Sequence, residues 1–274
     1  MALTDYLSLD FVQHALIAAA LVAVICGLVG PFVITRQAAF AVHGAAELSL
    51  TGAAAGLLIA DNAVAGALIG SVVVAGAFGL LGARERERNT AIGVVLAAGL
   101  ALGVYLLSFY NGFVTQATNI LFGYIFTVSW GQIRLLLVMA VAVLVSIAVI
   151  YRPLLFASVD PEVAEARGVP TRVLTLLFLV ILAVTVTEAA QIVGTVLVLS
   201  LAITPAAAAQ RLSANPTAVT AVSIALALLA AVGGLLISLQ TNVKASVCVT
   251  LVSFVSYLAA RVLTVRRRAL VGTS

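Results

Sequence analysis

The sequence predicts an all-α protein, a polytopic membrane helix bundle of about nine transmembrane helices. Three observations carry that expectation. First, 64% of the 274 residues are hydrophobic and only 9% are charged, where an ordinary soluble domain has about 25% charged residues. Second, the mean hydropathy is +1.25. Third, apolar runs of about 20 residues recur along the chain, the length a helix needs to cross the hydrocarbon core. Backbone inside that core must satisfy its own hydrogen bonds, so such runs read as helices. The 14 Lys+Arg and 10 Asp+Glu are too few to coat a globule of this size. A soluble enzyme, a nucleic-acid reader and a disordered scaffold are thereby excluded; the partner implied is a lipid bilayer.

In chain order the runs are Phe11–Ile34, Ala39–Ala60, Ala63–Gly82, Ala91–Phe109, Trp130–Tyr151, Thr171–Ala189, Ile192–Gln210, Thr217–Leu239 and Ala245–Leu263. The second and third meet at Asp61-Asn62, and the sixth and seventh meet near Glu188–Gln191. Both boundaries read as tight helical hairpins with polar tips. Phe113–Val128 is apolar and uncharged but short, which suits an interfacial or re-entrant helix. Gly52…Gly56, Gly66…Gly70 and Gly99…Gly103 are small-xxx-small spacings that suit close helix packing.

Orientation follows from the loops. Nine spans put 12 of the 14 basic residues on one side, leaving only Arg134 and Lys244 on the other. The N-terminus is expected outside and the C-terminus in the cytoplasm. The Arg84–Arg88 run reads as a solvated, orientation-setting loop without a site role. Met1–Asp10 carries Asp5 and Asp10 and no positive charge, so no cleaved signal peptide is expected.

Chemistry is bounded by scarcity. Cys26 and Cys248 both lie in apolar runs, which leaves no disulfide framework and no Cys-rich metal site. The single lysine, Lys244, is not in a glycine-rich phosphate loop, so this chain cannot hydrolyse ATP by that route. No permanently bound cofactor is expected, and no nucleophile–base pair indicates an enzyme.

The second run holds His43 and Glu47. Each ionisable group at membrane depth costs about 2.5–3.5 kcal/mol on insertion scales. Their i, i+4 spacing puts imidazole and carboxylate on one helical face, with Ser49 and Thr51 adding polarity nearby. The pair suits a divalent transition metal; a self-satisfied buried pair and a proton relay use the same residues. His14, near the outer end of the first run, reads as interfacial. Glu188 reads as a water-exposed hairpin residue, with a negative charge at a cation entrance as the alternative. Pro205, after Thr204, removes a helical hydrogen bond and should kink its span, a geometry compatible with a gate.

The loop at residues 157–170 predicts one short capped helix. Asp160 is the N-cap, Pro161 the first helical residue, Glu162 in the first turn, Arg167 in the last, Gly168 at C′ and Pro170 the stop. A stiff capped element on the cytoplasmic side suggests docking to a partner, with a lipid-surface helix as the alternative.

These pieces together resemble the permease subunits of zinc/manganese/iron-type bacterial ABC importers. The matching stretches are Phe32-Val-Ile-Thr-Arg36, His43–Gly52, Thr90-Ala-Ile-Gly93, Leu121-Phe-Gly123, Asp160–Val169, Ile192-Val-Gly194 and Thr204-Pro-Ala-Ala-Ala208. They lie in order across residues 20 to 260 or so. The resemblance implies a type II ABC importer-like permease, one domain over residues 1–274, in the bacterial cytoplasmic membrane. It also implies a homodimer with a second copy, two cytoplasmic ATPase subunits that use the ATP, and an extracytoplasmic metal-binding protein. Asp160, Glu162, Ala164 and Gly168 would then couple to the ATPase, and His43, Glu47 and, as a further candidate, Glu188 would meet the transported divalent metal ion. Family members commonly carry a carboxylate and then, four residues on, a histidine; here the order is reversed. The other reading of the sequence is a self-sufficient secondary transporter or channel for a cation.

Overall fold

The computed structural model describes residues 9–81, 85–109, 125–241 and 243–271. Among these residues ten helices occur and no strand. They are α1 (Asp10–Thr35), α2 (Ala39–Ala60), α3 (Ala63–Leu81), α4 (Glu85–Leu107), α5 (Trp130–Val159), α6 (Pro161–Ala166), α7 (Thr171–Val193), α8 (Thr195–Leu212), α9 (Pro216–Thr241) and α10 (Ala245–Val271). Each of the nine apolar runs coincides with one long helix. Six of these, α1, α2, α5, α7, α9 and α10, are long and apolar enough to cross a membrane. Among the described residues the apolar stretches of α3, α4 and α8 run over Ala63–Gly79, Ile92–Leu107 and Leu197–Leu212. Of Phe113–Val128, the described part is a 3₁₀ turn at Ile125–Thr127 and the residue after it; the rest of that expected helix lies outside the described residues.

Two boundaries differ from expectation. The Arg84–Arg88 stretch is not all loop, because α4 begins at Glu85. The break between α7 and α8 falls at Gly194 rather than at Glu188–Gln191. Gly194 has φ 86° and ψ 154°, a conformation essentially open to glycine alone, so the chain turns there and Glu188 stays inside α7. The other hairpin breaks where expected. Asp61 takes the left-handed conformation (φ 51°), and the backbone N–H groups of Asp61 and Asn62 both donate to the Gly56 carbonyl.

The chain divides into two compact units. One comprises residues up to Ile34, Ile125–Ala140 and Val196 onward, so it holds nearly all of α1 and α8, the start of α5, α9 and α10. Its helices approach through missing side chains. A Cβ on Gly30 would fall 2.5 Å from the Ala202 carbonyl oxygen of α8, and one on Gly27 would fall 2.7 Å from Ile224 Cα of α9. Gln210 Nε2 donates to the carbonyl of Pro31 at 3.3 Å. At one edge the His14 ring meets Trp130 edge-on, centroids 4.6 Å apart, and Trp130 is 55% exposed. That fits the interfacial reading of His14, since Trp favours the membrane–water boundary.

The other unit comprises Thr35–Tyr124 and Val141–Thr195. There α2 packs against α3, α4 and α7. The α2–α3 contact is backbone on backbone: a Cβ on Gly66 would lie 2.4 Å from the Gly52 carbonyl oxygen and 2.5 Å from Gly56 Cα. The two small-xxx-small spacings are therefore one interface, in which the absence of side chains lets the helices touch.

Candidate functional site

Helix α2 is enclosed along its middle, while Phe40 at its start and Leu58 and Ile59 at its end are exposed. From Ala41 to Ala54 every residue is buried except His43, Glu47 and Thr51, at i, i+4 and i+8. One stripe of the helix is thus left open, and it carries both ionisable residues of the span. At 1.5 Å rise per residue, Glu47 lies about 12 Å along a helix of about 33 Å. The buried faces are fixed by close packing, with Gly44 under Phe78 of α3 and Gly52 against Gly66 of α3. On the stripe itself Thr51 meets Gly103 of α4, so the part left open is His43 and Glu47.

Of the nearby hydroxyls, Thr51 Oγ1 donates to the Gly99 carbonyl at 2.7 Å and Ser49 Oγ to the Ala46 carbonyl at 2.6 Å. Both satisfy backbone, and Ser49 lies on a buried face. His43 and Glu47 make no hydrogen bond or ion pair with each other or with another described residue. One nitrogen donor and one carboxylate thus stand half-buried on a common face. Among the described residues no group of three or more His, Cys, Asp or Glu comes together, so one chain offers two donors here.

Glu188 is placed differently from its expected exposed position. It is 3% exposed within α7, beside Thr187 at 0%. Four polar atoms in this stretch are buried without a partner: Thr187 Oγ1, Glu188 Oε1, Gln191 Nε2 and Thr195 Oγ1. Each unsatisfied buried group costs about 1–3 kcal/mol, so this polar cluster around the α7–α8 break is costly to bury. The cause of the misplacement is the later helix break at Gly194. Thr204 is half-buried and Pro205 buried in α8, which is helical without a break from Thr195 to Leu212.

The short helix α6 forms as its sequence dictates. Asp160 is extended (φ −143°, ψ 91°), its Oδ1 accepts from Val163 N at 3.0 Å, and Pro161 fills the first position. The far end closes with a Schellman pair: Gly168 N donates to the Glu165 carbonyl and Val169 N to the Ala164 carbonyl, both at 3.0 Å. Gly168 has φ 79°, which a Cβ would penalise. Arg167 is the C-cap residue rather than part of the last turn, because the helix closes one residue early. Ala164 is fully buried, whereas Glu162 and Gly168 are exposed, as are Val159 (69%) and Val163 (43%). The element is anchored by one alanine and presents a mixed apolar and acidic surface.

Known proteins fit this architecture. The model of the ABC 3 transport family matches residues 8–264. The chain is 31% identical to the manganese transport system membrane protein MntC of Halalkalibacterium halodurans, over 90% of this chain and 85% of that protein. It is 32% identical to the manganese import system permease protein ScaB of Streptococcus parasanguinis, over 90% and 89% respectively. The solved structure of PsaBC from Streptococcus pneumoniae in complex with Fab superposes with a TM-score of 0.85 at 29% identity, covering 94% of each chain. A multi-pass helical chain matched over nearly its whole length in this way belongs to the ABC 3 transport family.

Proposed function

We propose that this chain is the membrane permease subunit of an ATP-driven importer of a divalent transition-metal cation, with manganese the first candidate and zinc and iron behind it. The observation that carries the proposal is the open His43–Glu47 stripe in the enclosed middle of α2. The relatives named for manganese transport support the choice of cargo. Imidazole and carboxylate together suit manganese, iron or zinc.

On this reading the residues 1–274 act as one permease domain, with the N-terminus outside and the C-terminus in the cytoplasm. Two copies related by a two-fold axis bring two imidazoles and two carboxylates to one path, twice the donor set that the described residues of one chain bring together. Glu188 supplies negative charge on the same path, and Pro205, which removes a helical hydrogen bond, makes Thr204-Pro205 the gate of α8. Helix α6 is the coupling element: its exposed Glu162, with Val163, faces one of two ATPase subunits, and Asp160, Ala164 and Gly168 hold its shape. An extracytoplasmic binding protein delivers the ion. The site is weak by design, since a conducting site must release what it binds.

Reconstitution tests the proposal. Liposomes containing this chain with its ATPase should accumulate radiolabelled manganese only with ATP inside the compartment that holds the ATPase. Uptake by this chain alone, driven by an ion gradient, would show a secondary transporter or channel instead.

A further inference from the structure

Arg36 occupies the connection between α1 and α2 and reaches two helices far away in sequence. Its Nη1 donates to Ser158 Oγ at 3.0 Å, and its Nη2 donates to Thr175 Oγ1. Its guanidinium carbon lies 5.5 Å from the ring centroid of Phe178, which is 1% exposed. All four residues belong to the same compact unit.

The two hydroxyls are set as acceptors. Ser158 Oγ donates its own proton to the Leu154 carbonyl at 2.5 Å, and Thr175 Oγ1 donates to the Thr171 carbonyl at 2.8 Å. Their lone pairs face outward for the guanidinium, whose planar fork can serve two acceptors at once while its face stacks on a ring. A lysine ammonium has no such fork and no face.

The partners' positions matter more than their number. Ser158 is the last residue but one of α5, two before the N-cap Asp160 of α6; Thr175 is in the first turns of α7, just after Pro170. Arg36 therefore holds the two helix ends between which α6 is strung. On its other side only Gln37, fixed in the left-handed conformation at φ 52°, and Ala38 separate it from α2. His43 follows seven residues on, at the start of the second turn of α2.

We infer that Arg36 is a positioning residue that ties the coupling helix α6 to the cargo-bearing helix α2, so that movement of α6 reaches His43 and Glu47 through one guanidinium clamp. This inference rests on the function proposed above and adds the route by which the ATPase acts on the ion site.

The test uses the complex of permease and ATPase in proteoliposomes, with manganese uptake and phosphate release measured on the same sample. Arg36→Lys, and separately the double variant Ser158→Ala with Thr175→Val, should lower manganese transported per ATP at least about fivefold, the lower range for coupling between sites. Ser158→Thr returns the hydroxyl and should keep the wild-type ratio. A second readout needs no cargo: maleimide labelling of Phe40→Cys, in the first turn of α2 and 48% exposed, and of Val163→Cys on α6. ATP should change both labelling rates in the wild-type background, but only the Val163→Cys rate when Arg36 is lysine. An unaltered ATP response at Phe40→Cys in Arg36→Lys, or none in the wild type, overturns the clamp. So does an unchanged transport ratio in both clamp variants. Failure of the wild-type complex to move manganese, with the labelling pattern as expected, overturns the cargo assignment and leaves the clamp standing.

Discussion

Replacing Gly168 with valine perturbs α6 without touching anything else. No atom lies within 4 Å of where a Cβ would stand, so the whole effect is conformational. If valine keeps φ near 79°, it suffers the left-handed penalty of about 1–2 kcal/mol, with branching at Cβ adding to it. If it leaves that region, the bonds from Gly168 N and Val169 N, both 3.0 Å, are lost at about 1 kcal/mol each. Either route comes to about 2 kcal/mol. A helix of six residues has no stability of its own to set against that. Some thirtyfold fewer chains, roughly, would then hold α6 closed. Gly168→Ala should do about half as much on the energy scale, and Asp160→Ala, which deletes the Oδ1 bond to Val163 N, about 1 kcal/mol. The assay is manganese uptake and ATP turnover in the reconstituted complex, with thermal unfolding as the control for global damage. Uptake should fall in the order wild type, alanine, valine while the melting temperature stays within a few degrees. Wild-type uptake and ATP turnover in Gly168→Val would refute the coupling role of α6.

Gly66→Leu should prevent accumulation of monodisperse protein on size-exclusion chromatography, because its Cβ meets α2 backbone at 2.4 Å and no rotamer relieves a backbone clash. Gly76→Leu, with open space around its Cβ, should behave as wild type; equal tolerance of both would contradict the α2–α3 interface. Cys26 and Cys248, both buried, should resist maleimide in the folded protein and react on denaturation. Rapid stoichiometric labelling of Cys26 would contradict the packing of α1.

How much the sequence disclosed depended on the kind of signal. Span existence was legible because each apolar run of about 20 residues has one solution in a bilayer. The shape of α6 was legible too, since caps are local: Asp160, Pro161 and Gly168 act on their own neighbours. Faces were harder. A helix apolar all round gives no period to separate core from lipid, so Glu188, one charge in such a run, was read as exposed. The helix end behind that error rests on a glycine conformation at Gly194 that leaves no mark in hydropathy. His43 and Glu47 share a face by spacing alone, whereas their being the open face of α2 depends on α3, α4 and α7 covering the rest. The partners of Arg36, 122 and 139 residues away, are invisible to any local pattern, and in the sequence Arg36 is only the last residue of a stretch that resembles the family.

Uptake by Glu47→Gln measured per assembled complex tests the central claim, that the open face of α2 meets the ion. The substitution keeps shape and removes charge, and Glu47 makes no hydrogen bond or ion pair with another described residue that its loss would break. The account predicts that manganese uptake is abolished, with His43→Ala behaving alike, while both variants assemble with the ATPase and melt like the wild type. Wild-type uptake per complex in both variants would contradict the account, and the stripe would then be a feature of packing between copies rather than a contact with cargo.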